Sequence, residues 1–116
     1  MVSRDIPRNQ WRQELDALSR EREGWTVSVA VTESGNTRTE ARDVPFYGVS
    51  VDDPRGDAIA VIVGHEPGDH VAHEVAHPVN VSIESDGHAE RALRIRGDDG
   101  STTIVQFEAP PSQSER

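Results

Sequence analysis

The fold is decided by an alternating stretch, Trp25-Thr26-Val27-Ser28-Val29-Ala30-Val31-Thr32. Large apolar residues alternate with small or polar ones, and this period of two is typical of a strand with one buried and one wet face. The turn-forming residues Glu33-Ser34-Gly35-Asn36 follow directly. We therefore expect the chain to reverse here into an antiparallel partner strand.

Before this strand the pattern changes to that of a helix, from about Arg8 to Glu23. Trp11, Leu15 and Leu18 recur at i, i+4 and i+7, which places them on one face. Gly24 suits the end of the helix, because glycine readily adopts the left-handed conformation found there. The helix is expected to bury Trp11 as a core anchor.

After the first hairpin, further short strands are joined by turn signals. The partner strand at residues 37–43 is mostly polar. Apolar alternation or apolar runs predict strands near residues 46–51, 58–63, 79–83, 89–96 and 103–107. No alternation of strands with helices is visible, so the sheet should be antiparallel. The sequence predicts an α+β fold, in which one N-terminal helix packs on a curled sheet, a roll or small barrel, of six to seven strands. Residues 1–108 would form this single domain, with a disordered tail at 109–116.

Negative charge is concentrated in the middle of the chain. Residues 43–90 contain ten Asp and Glu but one Arg, whereas residues 1–42 and 91–116 are each neutral overall. The formal net charge of −9 argues against affinity for DNA or RNA. The acidic middle is either a solvated face or a contact surface for a basic partner. The chain has twelve Arg and no Lys, for which a GC-rich genome and a salt-rich cytoplasm are both possible reasons.

The sequence lacks the features of several enzyme classes and of membrane-spanning proteins. The chain has no Cys, which excludes a thiol nucleophile and fits a reducing compartment. It has neither a phosphate-binding loop with Lys nor a Gly-x-Ser-x-Gly elbow. No apolar run approaches the roughly 18 residues of a membrane helix. We expect a soluble, cytoplasmic protein with no nucleic-acid and no membrane partner.

Four of the five His lie between residues 64 and 77. At about 100° per residue, His70, His73 and His77 fall on one arc of a helix together with Glu74. The other side would hold Val71, Val75 and two Ala. We therefore predict a short amphipathic helix near residues 69–77, with its imidazoles facing solvent.

The run His73-Glu74-Val75-Ala76-His77 matches the H-E-x-x-H motif of zinc proteases. In that motif two His one helical turn apart hold zinc, and the Glu activates water. Glu74 is thus a candidate catalytic base. Pro78 weakens the match, because the residue before a proline is displaced from helical geometry.

Three further interpretations of the histidines remain open. His70, His73 and His77 are possible ligands of a surface Zn²⁺ or Ni²⁺ ion without catalysis. The same imidazoles, close to carboxylates, are also suited to sensing pH. The simplest interpretation is a solvated polar face with no ligand.

Short motifs along nearly the whole chain resemble a family of small bacterial proteins catalogued as a domain of unknown function. The motifs are Ile6-Pro7-Arg8, Trp11, Gly24-Trp25, Ala41-Arg42-Asp43, Pro45, Gly48, Ser50, Asp52, Gly68-Asp69-His70 and His77-Pro78. The resemblance implies no activity. It includes Asp69-His70 and His77-Pro78 but not clearly His73 or Glu74. It implies that Asp69-His70 and His77-Pro78 bracket a structural turn, with His77 bonded to the backbone near Pro78.

By elimination, the sequence predicts a non-enzymatic, acidic module that binds a protein partner or associates as a homo-oligomer, with no cofactor. The first alternative is a metal-binding protein that holds zinc through His70, His73 and His77. The second is a minimal zinc hydrolase with Glu74 as its base.

Overall fold

The computed structural model describes residues 2–51, 57–64, 70–85 and 90–108, which form one α-helix, a 3-10 turn and eight strands. The predicted disordered tail at 109–116 lies outside these ranges. The 3-10 turn Arg8–Gln10 leads into α1, Trp11–Arg22. The strands are β1 (Val2–Asp5), β2 (Thr26–Glu33), β3 (Asn36–Val51), β4 (Ala58–Val63), β5 (Val71–Ala76), β6 (Pro78–Ser85), β7 (Glu90–Gly97) and β8 (Thr102–Glu108).

The strands form one antiparallel sheet in the order β1-β6-β7-β8-β2-β3-β4-β5. The predicted α+β class, with one helix on an antiparallel sheet, is confirmed. The predicted number of six to seven strands is wrong. The predicted strands near residues 37–43 and 46–51 are one strand, β3, and two strands are additional, β5 and β1. The sequence of β1, Val2–Asp5, has no apolar alternation, and the strand is held by pairing with β6, where Arg4 lies opposite Ile83.

Apolar residues at the predicted spacings build the core. Trp11, Leu15 and Leu18 of α1 are buried against the inward side chains of the sheet. The indole Nε1 of Trp11 donates a hydrogen bond of 2.9 Å to the carbonyl of Ile6. Gly24 ends the helical segment with a φ of +86°, as expected. Within the described ranges, no helix combines the length and apolarity needed to cross a membrane.

A bend in β3 gives the sheet its curvature. Residues 36–45 of β3 pair with β2, whereas residues 46–51 pair with β4. Asp43 adopts a φ of +53°, and Pro45, which has no N–H to donate, precedes the change of partner. The bend carries β4 and β5 back over the sheet, so that His73 of β5 reaches Thr103 of β8.

The sheet is curled but open, so the small-barrel alternative is wrong. It begins with β1 and ends with β5, and these two strands do not pair. The chain runs from β5 into β6 with His77 alone between them, so the two strands cannot pair side by side. In addition, β1 occupies the edge of β6 that closure would require.

The predicted short helix near residues 69–77 is also wrong, because Val71–Ala76 is strand β5. The segment pairs with β4 from Val71 opposite Val63 to Ala76 opposite Ala58. Burial alternates along the segment: His73 is half-buried and Val75 is buried, whereas the residues directly before and after each of them are exposed. The apolar pattern of these six residues is compatible with the period of a helix and with that of a strand. Pairing with the apolar β4 favours the strand.

The hydroxyl of Ser19 joins the helix to the bent strand. Its oxygen accepts a hydrogen bond of 2.8 Å from the backbone N–H of Val49. Its single proton can be donated to the carbonyl of Leu15 at 2.9 Å or of Val49 at 2.8 Å. Gly48 lies beside this oxygen, and a Cβ built on the glycine would be 3.4 Å from it.

We expect Ser19→Ala to lower the free energy of unfolding by about 1–2 kcal/mol, because the Val49 N–H loses its side-chain acceptor in a half-buried place. Urea denaturation followed by circular dichroism measures the change. Gln13→Ala on the exposed face of α1 is the control and should stay within about 0.5 kcal/mol of the parent protein. An equal loss in both variants would contradict the role of this hydroxyl.

Candidate functional site

The three described histidines lie in three different environments. His70 precedes β5 and packs against the ring of Tyr47, with ring centroids 4.3 Å apart. His73 points into the molecule, with Nε2 3.3 Å from the hydroxyl oxygen of Thr103. His77 occupies the bend between β5 and β6. His65, within the His-rich segment, lies outside the described residues.

His77 acts through its backbone. Its N–H donates a hydrogen bond of 2.7 Å to the carbonyl of Asp57, and its own carbonyl accepts one of 3.0 Å from the N–H of Asp98. Its φ is +51°, in the left-handed region. The residue thus ties the start of β4, the bend after β5 and the β7–β8 turn together. The resemblance implied that Asp69-His70 and His77-Pro78 bracket a structural turn. Strand β5 lies between His70 and His77 instead, and Asp69 lies outside the described residues.

Because β5 is extended, it lacks the helical geometry from which the metal-binding hypotheses were drawn. Four residues of strand span about 13 Å, whereas one helical turn spans about 5.4 Å. The helical spacing that would aim His73 and His77 at one ion is therefore absent from β5. Glu74 is exposed, on the opposite side of the strand from His73. Within the described ranges, no three His, Asp or Glu side chains are grouped as metal ligands. Zinc binding by His70, His73 and His77 stays a prediction, without the helical geometry that suggested it.

The bend in β3 opens a cleft between β5 and the first part of β3, which we call the β5 cleft. Its inner part is an apolar chamber of about 140 Å³. The chamber is lined by Val29, Glu40, Ala41, Val61, Val63, Val71, Ala72 and His73. Its outer part is a more polar hollow of about 250 Å³, which includes Arg38, Asp99 and Thr103. His73 lines both parts and so lies at their junction.

Glu40 places a fixed negative charge at the chamber. Its Oε2 accepts a hydrogen bond of 2.6 Å from Nε of Arg38. This hydrogen bond is the main cause that holds the pKa of Glu40 below its ordinary value, and the charge of Arg38 and the nearby imidazole of His73 lower that pKa further. The same pairing raises the pKa of Arg38. The carboxylate is therefore ionised at neutral pH.

A free sheet edge borders the β5 cleft. Within the described ranges β5 pairs with β4 and with no other strand. Near its end, the β7–β8 turn approaches, where Asp98 contacts His77. At its start, Val71 is 63% exposed, and Tyr47 nearby on β3 is 51% exposed. The edge of β5 that no described strand pairs with and the exposed side chains of Val71 and Tyr47 thus occur together at one end of the sheet.

The arrangement is suited to binding. A hydroxyl beside an imidazole is one element of a hydrolase, yet Thr103 is 2% exposed and is covered by its neighbours. Thr103 borders the outer hollow, but so little of the residue is accessible that its hydroxyl oxygen is shielded from a substrate there. The accessible groups are the Glu40 carboxylate, the His73 imidazole and the backbone edge of β5, all of which form reversible contacts.

Sequence reasoning identified His73 but missed Glu40, Arg38 and Thr103. Arg38 and Glu40 are two residues apart in a strand, which puts them on the same face. Thr103 was recognised as part of an alternating strand, but not as a polar residue at a buried position. An inward-facing Thr in an otherwise apolar alternation is the signal that was available.

We expect His77→Gly to change the free energy of unfolding by less than about 1 kcal/mol, because glycine relieves the left-handed backbone while adding freedom to the unfolded chain. His77→Val should cost more than about 1 kcal/mol, since a β-branched side chain is strained at positive φ. Urea denaturation of both variants tests this. If the glycine variant loses as much as the valine variant, the imidazole itself is required.

Comparison with known proteins places the chain in a family. No curated protein and no solved structure matches it significantly. A family model, described as a family of unknown function, matches residues 2–116, nearly the full chain. The chain therefore belongs to the family of unknown function DUF5335.

Proposed function

We propose that the protein is a non-enzymatic binding module that recognises an extended, basic segment of a protein partner along the free edge of β5. The observation that carries the proposal is that β5 ends the sheet with an edge to which no described strand pairs. Such an edge is a template for an added strand, whose main chain supplies the hydrogen bonds.

Exposed apolar side chains support this location. Val71 begins the free edge and is 63% exposed, which is unusual for a valine in a strand. Tyr47 is half exposed and packs on His70, the residue that precedes β5. An added strand would cover Val71, and the aromatic pair would extend the contact surface.

The negative charge of the chain favours a basic protein partner over a second copy of the same chain. The segment 43–90, which includes β4, β5 and Tyr47, has a net charge of −9 from ten acids and one Arg. Two copies would bring two such segments together, whereas a basic segment would be attracted to them. The absence of Cys from the sequence supports a cytoplasmic setting for this interaction.

A labelled peptide of alternating Val and Lys is the direct test, with binding followed by fluorescence anisotropy. We expect Val71→Lys to weaken its binding by about tenfold or more, because the variant loses an apolar contact and adds a like charge. Val79→Lys is the matched control. Val79 is 48% exposed, but its strand β6 lies between β1 and β7, so its variant should bind within about twofold of the parent.

A second peptide, N-methylated at every other residue, distinguishes strand addition from simple charge attraction. It keeps the charge but lacks half of the N–H donors, and we expect it to bind at least about tenfold more weakly. Equal binding of both peptides, or an equal loss in both Lys variants, would overturn the proposal. Light scattering that shows a dimer abolished by Val71→Lys, without peptide binding, would replace the basic partner with a second copy.

A further inference from the structure

The apolar chamber in the β5 cleft has the size of a small ligand site. Its volume is about 140 Å³, close to the roughly 150 Å³ at which an apolar cavity in a protein takes up a benzene-sized guest. Four valines and two alanines form most of its wall: Val29, Ala41, Val61, Val63, Val71 and Ala72. A chain of about five carbon atoms matches this space and this lining.

Two polar side chains complete the lining, Glu40 and His73. Arg38 belongs to the outer hollow and does not line the chamber. A carboxylate has about four acceptor positions, so the hydrogen bond from Arg38 leaves Glu40 with capacity for a further donor. The bond from Arg38 also holds the carboxylate in place, which reduces the entropy lost on binding.

The charge at the chamber selects the head group of the ligand. An ionised carboxylate accepts hydrogen bonds and cannot donate them, so it favours an ammonium group and repels another carboxylate. The formal net charge of −9 on the whole chain acts in the same direction. A neutral alcohol would fill the chamber equally well but would gain less at Glu40.

We propose that the β5 cleft binds a small primary alkylammonium ligand, whose aliphatic chain fills the valine-lined chamber and whose ammonium group is held by Glu40. His73, whose Nε2 lies 3.3 Å from the hydroxyl oxygen of Thr103, also lines the chamber. Val71 belongs to both proposals, because it lines the chamber and begins the free edge, but the ligand site is tested through Glu40, which the peptide test leaves unchanged. The test of the ligand site is therefore separate from that of the peptide.

The test is a titration of the full chain with n-pentylammonium, followed by amide chemical shifts in NMR. We expect saturable shifts at Val29, Val63 and His73. Affinity for 1-pentanol should be about two- to fivefold weaker, and pentanoate should not bind, because Glu40 is exposed and an ion pair with an exposed carboxylate contributes that much.

Matched variants identify the carboxylate. Glu40→Gln should weaken n-pentylammonium binding by about two- to fivefold and leave 1-pentanol unchanged. Glu84→Gln is the control, because Glu84 accepts from Arg94 with the same 2.6 Å geometry on β6 and β7, away from the cleft. It should alter neither ligand. Ala72→Leu, at an exposed position of the lining, should reduce the binding of both ligands.

Equal affinities for n-pentylammonium and 1-pentanol would overturn the ammonium selectivity, and shifts away from the chamber would overturn the site. Equal effects of Glu40→Gln and Glu84→Gln would reduce the result to general charge attraction. Circular dichroism of each variant establishes that it is folded. If the leucine variant does not fold, the comparison of the two Gln variants still decides the proposal.

Discussion

The structure depends on a single bent strand that changes partners. The first part of β3 pairs with β2 and the second part with β4, and Asp43 and Pro45 lie where the pairing changes. A straight β3 would leave β4 and β5 extending from the sheet with their apolar side chains in water. The bend instead brings Val61, Val63 and Val75 into the common core. It also leaves the first part of β3 and β5 apart, and the cleft is the space between them.

Residues with local partners were the predictable part of this fold. Trp11, Leu15 and Leu18 lie on one face of the helix whatever the rest of the fold is. The valines of β2 likewise lie on one face of the strand in any sheet. Gly24 and the turn at Ser34 and Gly35 similarly follow from backbone preferences. The antiparallel class follows from short connections, since a parallel pair needs a longer crossover. These features require no knowledge of distant contacts.

The remaining features are set by contacts between distant segments. The sequence pattern of Val71–Ala76 fits both a helix and a strand. The segment is a strand because it pairs with β4, and the local sequence gives no information about that pairing. β1 has no pattern of its own and exists through β6. The cleft combines His73 with Glu40 and Thr103 from three separate strands. Because an aspartate occupies the left-handed position in β3, the glycine that usually marks such a bend is absent there.

The two ends of the sheet are chemically unequal, and this limits how copies of the chain can assemble. The β1 end is a strand of four residues that includes Arg4 and Asp5, features that discourage further pairing. The β5 end begins with an exposed valine. Head-to-tail stacking of molecules, which leads to fibres, needs both ends to be adhesive. The short, charged β1 does not supply the second adhesive end that such stacking needs.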